Sequence, residues 1–176
     1  MNQKIAQFEK VSKEQFLKDL YESIKSVELS SLDPNFVEAV DNTYLSIHTP
    51  ERSTACSAGY DFFLPYNVIL SPGESTIVQT GIRCKMSSDY VLMIFPRSSL
   101  GFKYKLGLCN TVGIIDADYY NADNEGHVLI KLVNNGNKEI TLYHDDKFAQ
   151  GIFLPFGITI DDAAAGKRTG GFGSTD

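Results

Sequence analysis

The 176-residue sequence has no excess of positive charge: 16 Lys and Arg stand against 22 Asp and Glu, a formal net charge of -6. That excludes a non-specific nucleic-acid coat, which depends on clustered basic side chains. A small phosphate-bearing ligand stays compatible with this balance if its charge is met locally by arginine, backbone N–H groups or a metal. Long apolar runs are also lacking. The longest charge-free stretch, residues 148–160, contains Gly and Pro and is too short to span a bilayer, so no membrane partner is expected. Cysteine is scarce: Cys56, Cys84 and Cys109 are odd in number and have no CxxC spacing. They are expected to be reduced, small buried residues of a cytoplasmic protein. The opening residues lack the apolar core of a signal peptide and there is no Asn-x-Ser/Thr acceptor, in keeping with that compartment. His48, His127 and His144 lie too far apart in sequence to suggest a zinc site.

What is present is an ordinary globular composition, 43% hydrophobic and 22% charged, at a length suited to one domain with a sizeable core. Residues 1–43 form a helical extension. Ser12 followed by Gln15 is a capping box, and Phe16, Leu17, Leu20, Tyr21 and Ile24 recur at helical spacing, predicting a helix over residues 13–25. Pro34 interrupts it, with a short second helix expected over residues 35–40. Residues 44–160 are strand-like, with runs at 67–70, 76–86, 90–95, 112–115, 127–133, 139–143 and 149–156. The 76–86 run alternates Val78, Thr80, Ile82, Cys84 and Met86 with polar residues or Gly, predicting one half-buried strand. The continuously apolar 90–95 run predicts a strand covered on both faces, and Asn134-Asn135-Gly136-Asn137 predicts a hairpin. Many short strands favour a sandwich, jelly roll or small barrel. The glycine-rich residues 161–176 form a flexible arm, since residues 166–176 hold no Leu, Ile or Val.

Five short segments can carry chemistry. In Gly113-Ile114-Ile115-Asp116-Ala117-Asp118-Tyr119, two branched apolar residues lead into a carboxylate. An acid fixed at a strand exit can orient and deprotonate water, although a plain turn residue fits the same pattern. Asp118 and Asp123 suggest a metal cluster less well than solvated turn acids. Pro96-Arg97-Ser98-Ser99-Leu100-Gly101 places a guanidinium, two hydroxyls and a glycine backbone after a buried run, donors suited to phosphate oxygens and equally to a braced turn. Ala58-Gly59-Tyr60-Asp61 puts an acid after a permissive glycine, and Gln150 is one amide in an apolar strand. In the tail, Arg168, Phe172, Gly173, Ser174 and Thr175 offer a ring for a base and donors for phosphates, against the simpler reading of a disordered polar terminus. Gly166-Lys167-Arg168 is no P-loop, because Arg stands where Ser or Thr is needed.

The order of these segments is more specific than any one of them. Residues 58–61, 96–101, 110–119, 148–150 and 168–175 resemble the five motifs of the trimeric dUTPases, over about residues 44 to 176. The resemblance implies an all-β jelly roll assembled as a homotrimer with active sites at subunit interfaces. It implies Mg²⁺-assisted hydrolysis of dUTP to dUMP and pyrophosphate, which keeps uracil out of DNA and supplies dUMP for dTMP synthesis. Asp116 is similar to the acid that holds the attacking water. Asp61 and Gln150 are similar to residues that organise the phosphates and the metal's water shell, Asp61 reaching the metal through water. Asn110 stands at the uracil-reading position, with Gly113 in the same segment, and Tyr119 resembles the ring under deoxyribose that leaves no room for a 2′-hydroxyl. Ser98 would contact the bridge between α- and β-phosphates, and Arg97, Ser99 and Gly101 would line the phosphate channel. Phe172 would stack over uracil, with Gly173 beside it. Arg168, Ser174 and Thr175 would grip the γ-phosphate. One departure is the insertion 121–125 before Gly126, read as a longer hairpin tip beside the site. A dCTP deaminase on the same fold and a non-catalytic binding module are the rival readings.

Overall fold

The computed structural model describes residues 3–24, 34–166, 168 and 170. Strand β1 (Ala6–Lys10) leads into helices α1 (Lys13–Ile24) and α2 (Pro34–Ser46). Strands β2 (Glu51–Arg52), β3 (Tyr60–Phe63), β4 (Val68–Leu70), β5 (Ser75–Gln79), β6 (Ile82–Met86) and β7 (Tyr90–Pro96) follow. The short helix α3 (Ser98–Tyr104) precedes β8 (Leu106–Leu108) and β9 (Gly113–Ile115). A 3-10 helix (Ala117–Asn121) then leads to β10 (Leu129–Asn134), β11 (Ile140–Leu142) and β12 (Lys147–Pro155).

All strand pairings among the described residues are antiparallel, and three of them nest: β3 pairs with β12, β4 with β11 and β5 with β10. Nested pairs of this kind arise when one long antiparallel ribbon is rolled upon itself, which is the jelly-roll solution to unpaired edges. Alternation supplies the common core. Val68 and Leu70, Ile130 and Leu132, and Ile140 and Leu142 point inward, while Ile69, Lys131 and Thr141 between them point out. The largest sheet runs β2-β3-β12-β7-β9. On β7, Leu92 and Ile94 are buried, but Val91, Met93 and Phe95 are only half-buried, so the second face is not enclosed as expected.

Three local expectations need correction. The 76–86 run is two strands, because Gly81 takes φ +71°, a left-handed conformation that ends β5 and restarts the chain as β6. A Cβ on Gly81 would also lie 2.3 Å from Ile47 Cδ1, so a side chain there would add a clash with buried Ile47 to the backbone strain. The Asn134–Asn137 turn does not join paired strands: β10 pairs with β5 and β8, whereas β11 pairs with β4. Fully buried Asn134 instead donates to Leu70 O at 2.9 Å and Lys138 O at 2.8 Å, and its Oδ1 accepts from Gly136 N at 2.9 Å. The N-terminal segment is not helical alone, since β1 adds to β6 with Phe8 opposite Cys84. Phe8 packs its ring 5.4 Å from Tyr60 and 5.7 Å from Phe62 and Phe153.

The helix predicted over residues 13–25 is α1. Ser12 Oγ accepts the Gln15 N–H at 3.1 Å, satisfying one orphan donor of the first turn. The return arm of the capping box comes from Glu125, whose carboxylate accepts from Ser12 N at 2.7 Å and from Ser12 Oγ at 2.6 Å. The second helix runs to Ser46 rather than stopping at residue 40. Its continuation is favoured by burial of Val40 and by the Tyr44 hydroxyl donating to Val11 O at 2.8 Å.

Candidate functional site

The five-stranded sheet aligns segments distant in sequence. Asp61 on β3 lies opposite Gln150 on β12, which lies opposite Phe95 on β7, two residues before Arg97. Strand register therefore brings Asp61, Gln150 and Arg97 to one end of the sheet. Gln150 Nε2 donates to Pro96 O at 3.4 Å. Its amide is accommodated by Gly59, where a Cβ would stand only 2.7 Å from Gln150 Oε1.

Asp61 is 6% exposed and fully partnered. Its Oδ2 accepts from Ser53 Oγ at 2.7 Å and Lys147 Nζ at 2.9 Å, while Arg97 Nη1 lies 3.5 Å from Oδ1. Burial on its own would raise the carboxyl pKa. The bonds from Lys147 and Ser53, with the Arg97 charge, outweigh it and hold the group below its usual value. Asp61 is thus a fixed anion at neutral pH. Ser53 and Lys147 were not identified from sequence: Ser53 carries no pattern, and Lys147 is flagged only by standing before the Phe148-Ala149-Gln150 segment.

Arg97 is the residue before α3, with extended backbone (φ -71°, ψ 135°), and its carbonyl accepts from Leu100 N at 3.1 Å and Gly101 N at 3.0 Å. Ser98 and Ser99 are exposed at the first positions of the helix. A cavity of about 540 Å³ opens here, lined by Arg97, Ser98, Gly101, Phe102 and Gln150 among others. A second cavity of about 590 Å³, between residues 3–6 and the Arg52–Tyr60 region, includes none of the predicted site residues.

A second group forms around β9. Gly113 pairs with Ile94 and Ile115 with Leu92. Asn110 is exposed in the turn before β9, and a Cβ on Gly113 would lie 3.9 Å from Asn110 Nδ2. Asp116 leaves the strand into the 3-10 helix with its side chain 53% exposed, and Arg168 Nη1 sits 2.9 Å from its Oδ2 and 3.4 Å from Asp118 Oδ1. Tyr119 is 2% exposed, with the Arg168 guanidinium 5.0 Å from its ring centroid. Burial pushes the Tyr119 hydroxyl up to about 12, so it is neutral and donates to His127 O at 2.8 Å. It also accepts from Asn124 Nδ2 at 2.7 Å, a partner the sequence did not reveal.

One chain does not unite the two groups. Ile115 is opposite Leu92, so the register carries Asp116 toward Val91 near the start of β7, whereas Arg97 follows its end. The six residue steps from Val91 to Arg97 separate them by roughly 20 Å at strand rise. Phe172, Gly173, Ser174 and Thr175 lie outside the described residues.

Against known proteins, the dUTPase family profile matches residues 46–175. The chain belongs to the dUTPase family. The deoxyuridine 5'-triphosphate nucleotidohydrolase of Lactococcus lactis is 42% identical over 132 residues, covering 73% of this chain and 88% of the relative. That of Burkholderia lata is 37% identical over 152 residues, covering 82% of this chain and 97% of the relative. The crystal structure of dUTPase from Streptococcus mutans superposes with a TM-score of 0.59 at 38% identity, over 65% of this chain and 89% of that one. The dUTPase from phage phi11 of S. aureus, 22% identical with a TM-score of 0.57 over 68% of this chain and 90% of that one, shares the fold. The chain is therefore an enzyme of this family with its all-β jelly-roll fold.

Proposed function

We propose that the protein hydrolyses dUTP to dUMP and pyrophosphate by attack of water on the α-phosphorus, at sites shared between copies of a homotrimer. The observation that carries this reading is the register of Asp61, Gln150 and Phe95, which assembles three of the family's segments beside the cavity lined by Arg97 and Ser98. Phosphoryl chemistry asks mainly for positioning and charge compensation. Arg97, Ser98, Ser99 and the backbone at Gly101 supply donors along the phosphates, and Gln150 supplies an amide beside them. Asp116, exposed at the end of β9, orients the water and takes its proton. Asn110 reads the uracil edge, Gly113 lets the base approach β9, and Tyr119 closes the 2′ side of the sugar. Arg168, Ser174 and Thr175 hold the γ-phosphate, and Phe172 and Gly173 cover the base.

The separation of Asp116 from Arg97 is the reason to place the site between copies: a neighbouring chain supplies the β9 group to the cavity. Phe102, Leu154, Phe156, Ile158 and Ile160 are all exposed in the single chain, apolar area of the kind that assembly covers.

Magnesium fits this donor set in one way. Both Asp61 oxygens face donors or cations, and no group of three or more His, Cys, Asp or Glu converges among the described residues, so a cage made of protein ligands is not offered. Mg²⁺ commonly keeps several waters and binds substrate phosphates. Asp61 would hold it through water, and when bound it neutralises part of the triphosphate charge. Of the three free cysteines only Cys84 is buried, Cys56 and Cys109 being exposed against expectation, and free thiols agree with a cytoplasmic location. No described helix is long and apolar enough to cross a membrane.

The test is product formation from dUTP, dCTP and the other deoxynucleotides, with the mass of the assembly measured in parallel. Pyrophosphate and dUMP from dUTP alone support the reading. Ammonia from dCTP, or tight dUTP binding without pyrophosphate release, overturns it.

A further inference from the structure

The N-terminal segment ahead of the matched family region and the insertion at 121–125 are bound to each other. The Tyr120 hydroxyl donates to Glu9 Oε2 at 2.7 Å, and Glu125 takes both donors of Ser12. Arg83 of β6 braces the same loop, donating to Tyr120 O at 3.1 Å with its guanidinium 3.7 Å from the Tyr120 ring centroid. The deepest link joins Asp19 of α1 to His127, 2.5 Å from Oδ2 to Nδ1, with the imidazole fully buried.

The hydrogen-bond pattern fixes how that imidazole is used. Its Nε2 accepts the Gly81 N–H at 2.8 Å, so the ring proton resides on Nδ1 and is donated to Asp19. Phe16 of α1 lies against the same ring, 6.2 Å between centroids. On its backbone side, His127 offers the carbonyl that receives the Tyr119 hydroxyl, while Asn124 of the insertion donates to that hydroxyl. The Tyr119 hydroxyl is therefore held by His127 and Asn124, both of them fixed by the N-terminal segment or by the loop it grips.

We infer that Asp19 is a positioning residue for the substrate site: through His127 it sets the seat of the Tyr119 hydroxyl, so that docking of α1 fixes the ring that faces the sugar. This rests on the proposed role of Tyr119 against the 2′ position. Helix α1 then serves specificity as well as stability, and its unit of action is the path Asp19, His127, Tyr119. The insertion is the other half of the same bracket, because Glu125 caps α1 while Asn124 holds the tyrosine.

The experiment uses the full chain. The Asp19→Ala variant leaves Nδ1 without its acceptor. It should raise KM for dUTP about three- to tenfold and reduce the preference for dUTP over UTP by a comparable factor, with kcat changed less. The Asp19→Asn variant keeps an acceptor oxygen and should recover most of both. Lys13→Met breaks the 2.8 Å pair between α1 and Asp41 of α2, remote from this path, and should lower stability without touching the preference. Hydrogen exchange over residues 116–121 should quicken in Asp19→Ala and not in Lys13→Met, a readout independent of turnover. If Asp19→Ala does not fold, Glu125→Ala carries the test with the same expected direction. An unaltered nucleotide preference and unaltered exchange in the folded variants, or equal changes in Lys13→Met, would overturn the inference. Absence of dUTP hydrolysis by the unsubstituted protein would instead overturn the proposed function, leaving the exchange comparison to decide the link between Asp19 and Tyr119.

Discussion

Arg168 places its Nη1 2.9 Å from Asp116 Oδ2, so the cation assigned to the γ-phosphate lies on the acid assigned to the water. On the proposed reading, a bound triphosphate would compete for Arg168 and free a carboxylate oxygen of Asp116 for the water. The Asp116→Asn variant keeps the shape but neither the charge nor the basicity. Its turnover should fall by about 10²- to 10⁴-fold, the usual worth of a general base. Affinity for a non-hydrolysable dUTP analogue should be retained or slightly tightened, because the competing ion pair is weakened. Steady-state rates and a binding titration decide the matter, and near-normal turnover refutes the role.

Gly59 and Gln150 yield a second expectation. A methyl at Gly59 would meet Gln150 Oε1 at 2.7 Å, and the end of a side chain can move where a backbone cannot. The Gly59→Ala variant should therefore fold with nearly unchanged thermal stability. The displaced amide should cost kcat/KM about tenfold or more, as misplacement near reacting groups does. A variant that melts as the parent and hydrolyses at the parent rate would remove Gln150 from the site.

The chemistry in this site was more legible than its geometry. Asp116 and Tyr119 are local to β9 and its exit, so two branched residues followed by an acid singled out Asp116 as a candidate beside the plain-turn reading, and the resemblance added Tyr119. Asp61, Gln150 and Arg97 meet only through pairing of strands far apart in sequence, and periodicity carries no information about which strands pair. The order of the five segments supplied what the residues could not. The same blindness explains the Asn134–Asn137 turn, where turn chemistry was right but the flanking strands belong to different sheets. It explains β1 as well, a strand of five residues whose burial comes from Tyr60, Phe62 and Phe153 rather than from its own pattern. Alternation carried the 76–86 reading through Gly81 because a positive φ leaves no trace in hydrophobicity.

Asp61 links the site to acid stability. Burial opposes its ionisation, and Lys147, Ser53 and Arg97 overcome that, so the folded carboxyl titrates below its ordinary value of 3.8. The unfolded chain then binds the proton more readily. The contribution of Asp61 is fully present above the ordinary value and is lost as pH falls through the lower folded one. The Lys147→Met variant removes the strongest of the favourable partners. Its acid unfolding, followed by circular dichroism, should begin at higher pH than in the parent. An unchanged or lower midpoint would show that Lys147 does not stabilise the anion.

The arm offers a prediction in which assembly and activity part. Strand β12 ends at Pro155 and residues 156–166 are exposed, so among the described residues the sheet core is complete before the arm begins. Deletion of residues 168–176 keeps Phe156, Ile158 and Ile160, the exposed apolar residues available to a neighbouring copy. It removes Arg168 from Asp116, together with Phe172, Ser174 and Thr175 from their assigned contacts. The truncated chain should keep the mass of the parent assembly by light scattering. Its kcat/KM for dUTP should fall by at least about 10²-fold, the scale set by losing charge-stabilising donors from a phosphate. Dissociation into monomers would mean that the arm holds the copies together. A full rate would mean that the γ-phosphate is gripped elsewhere.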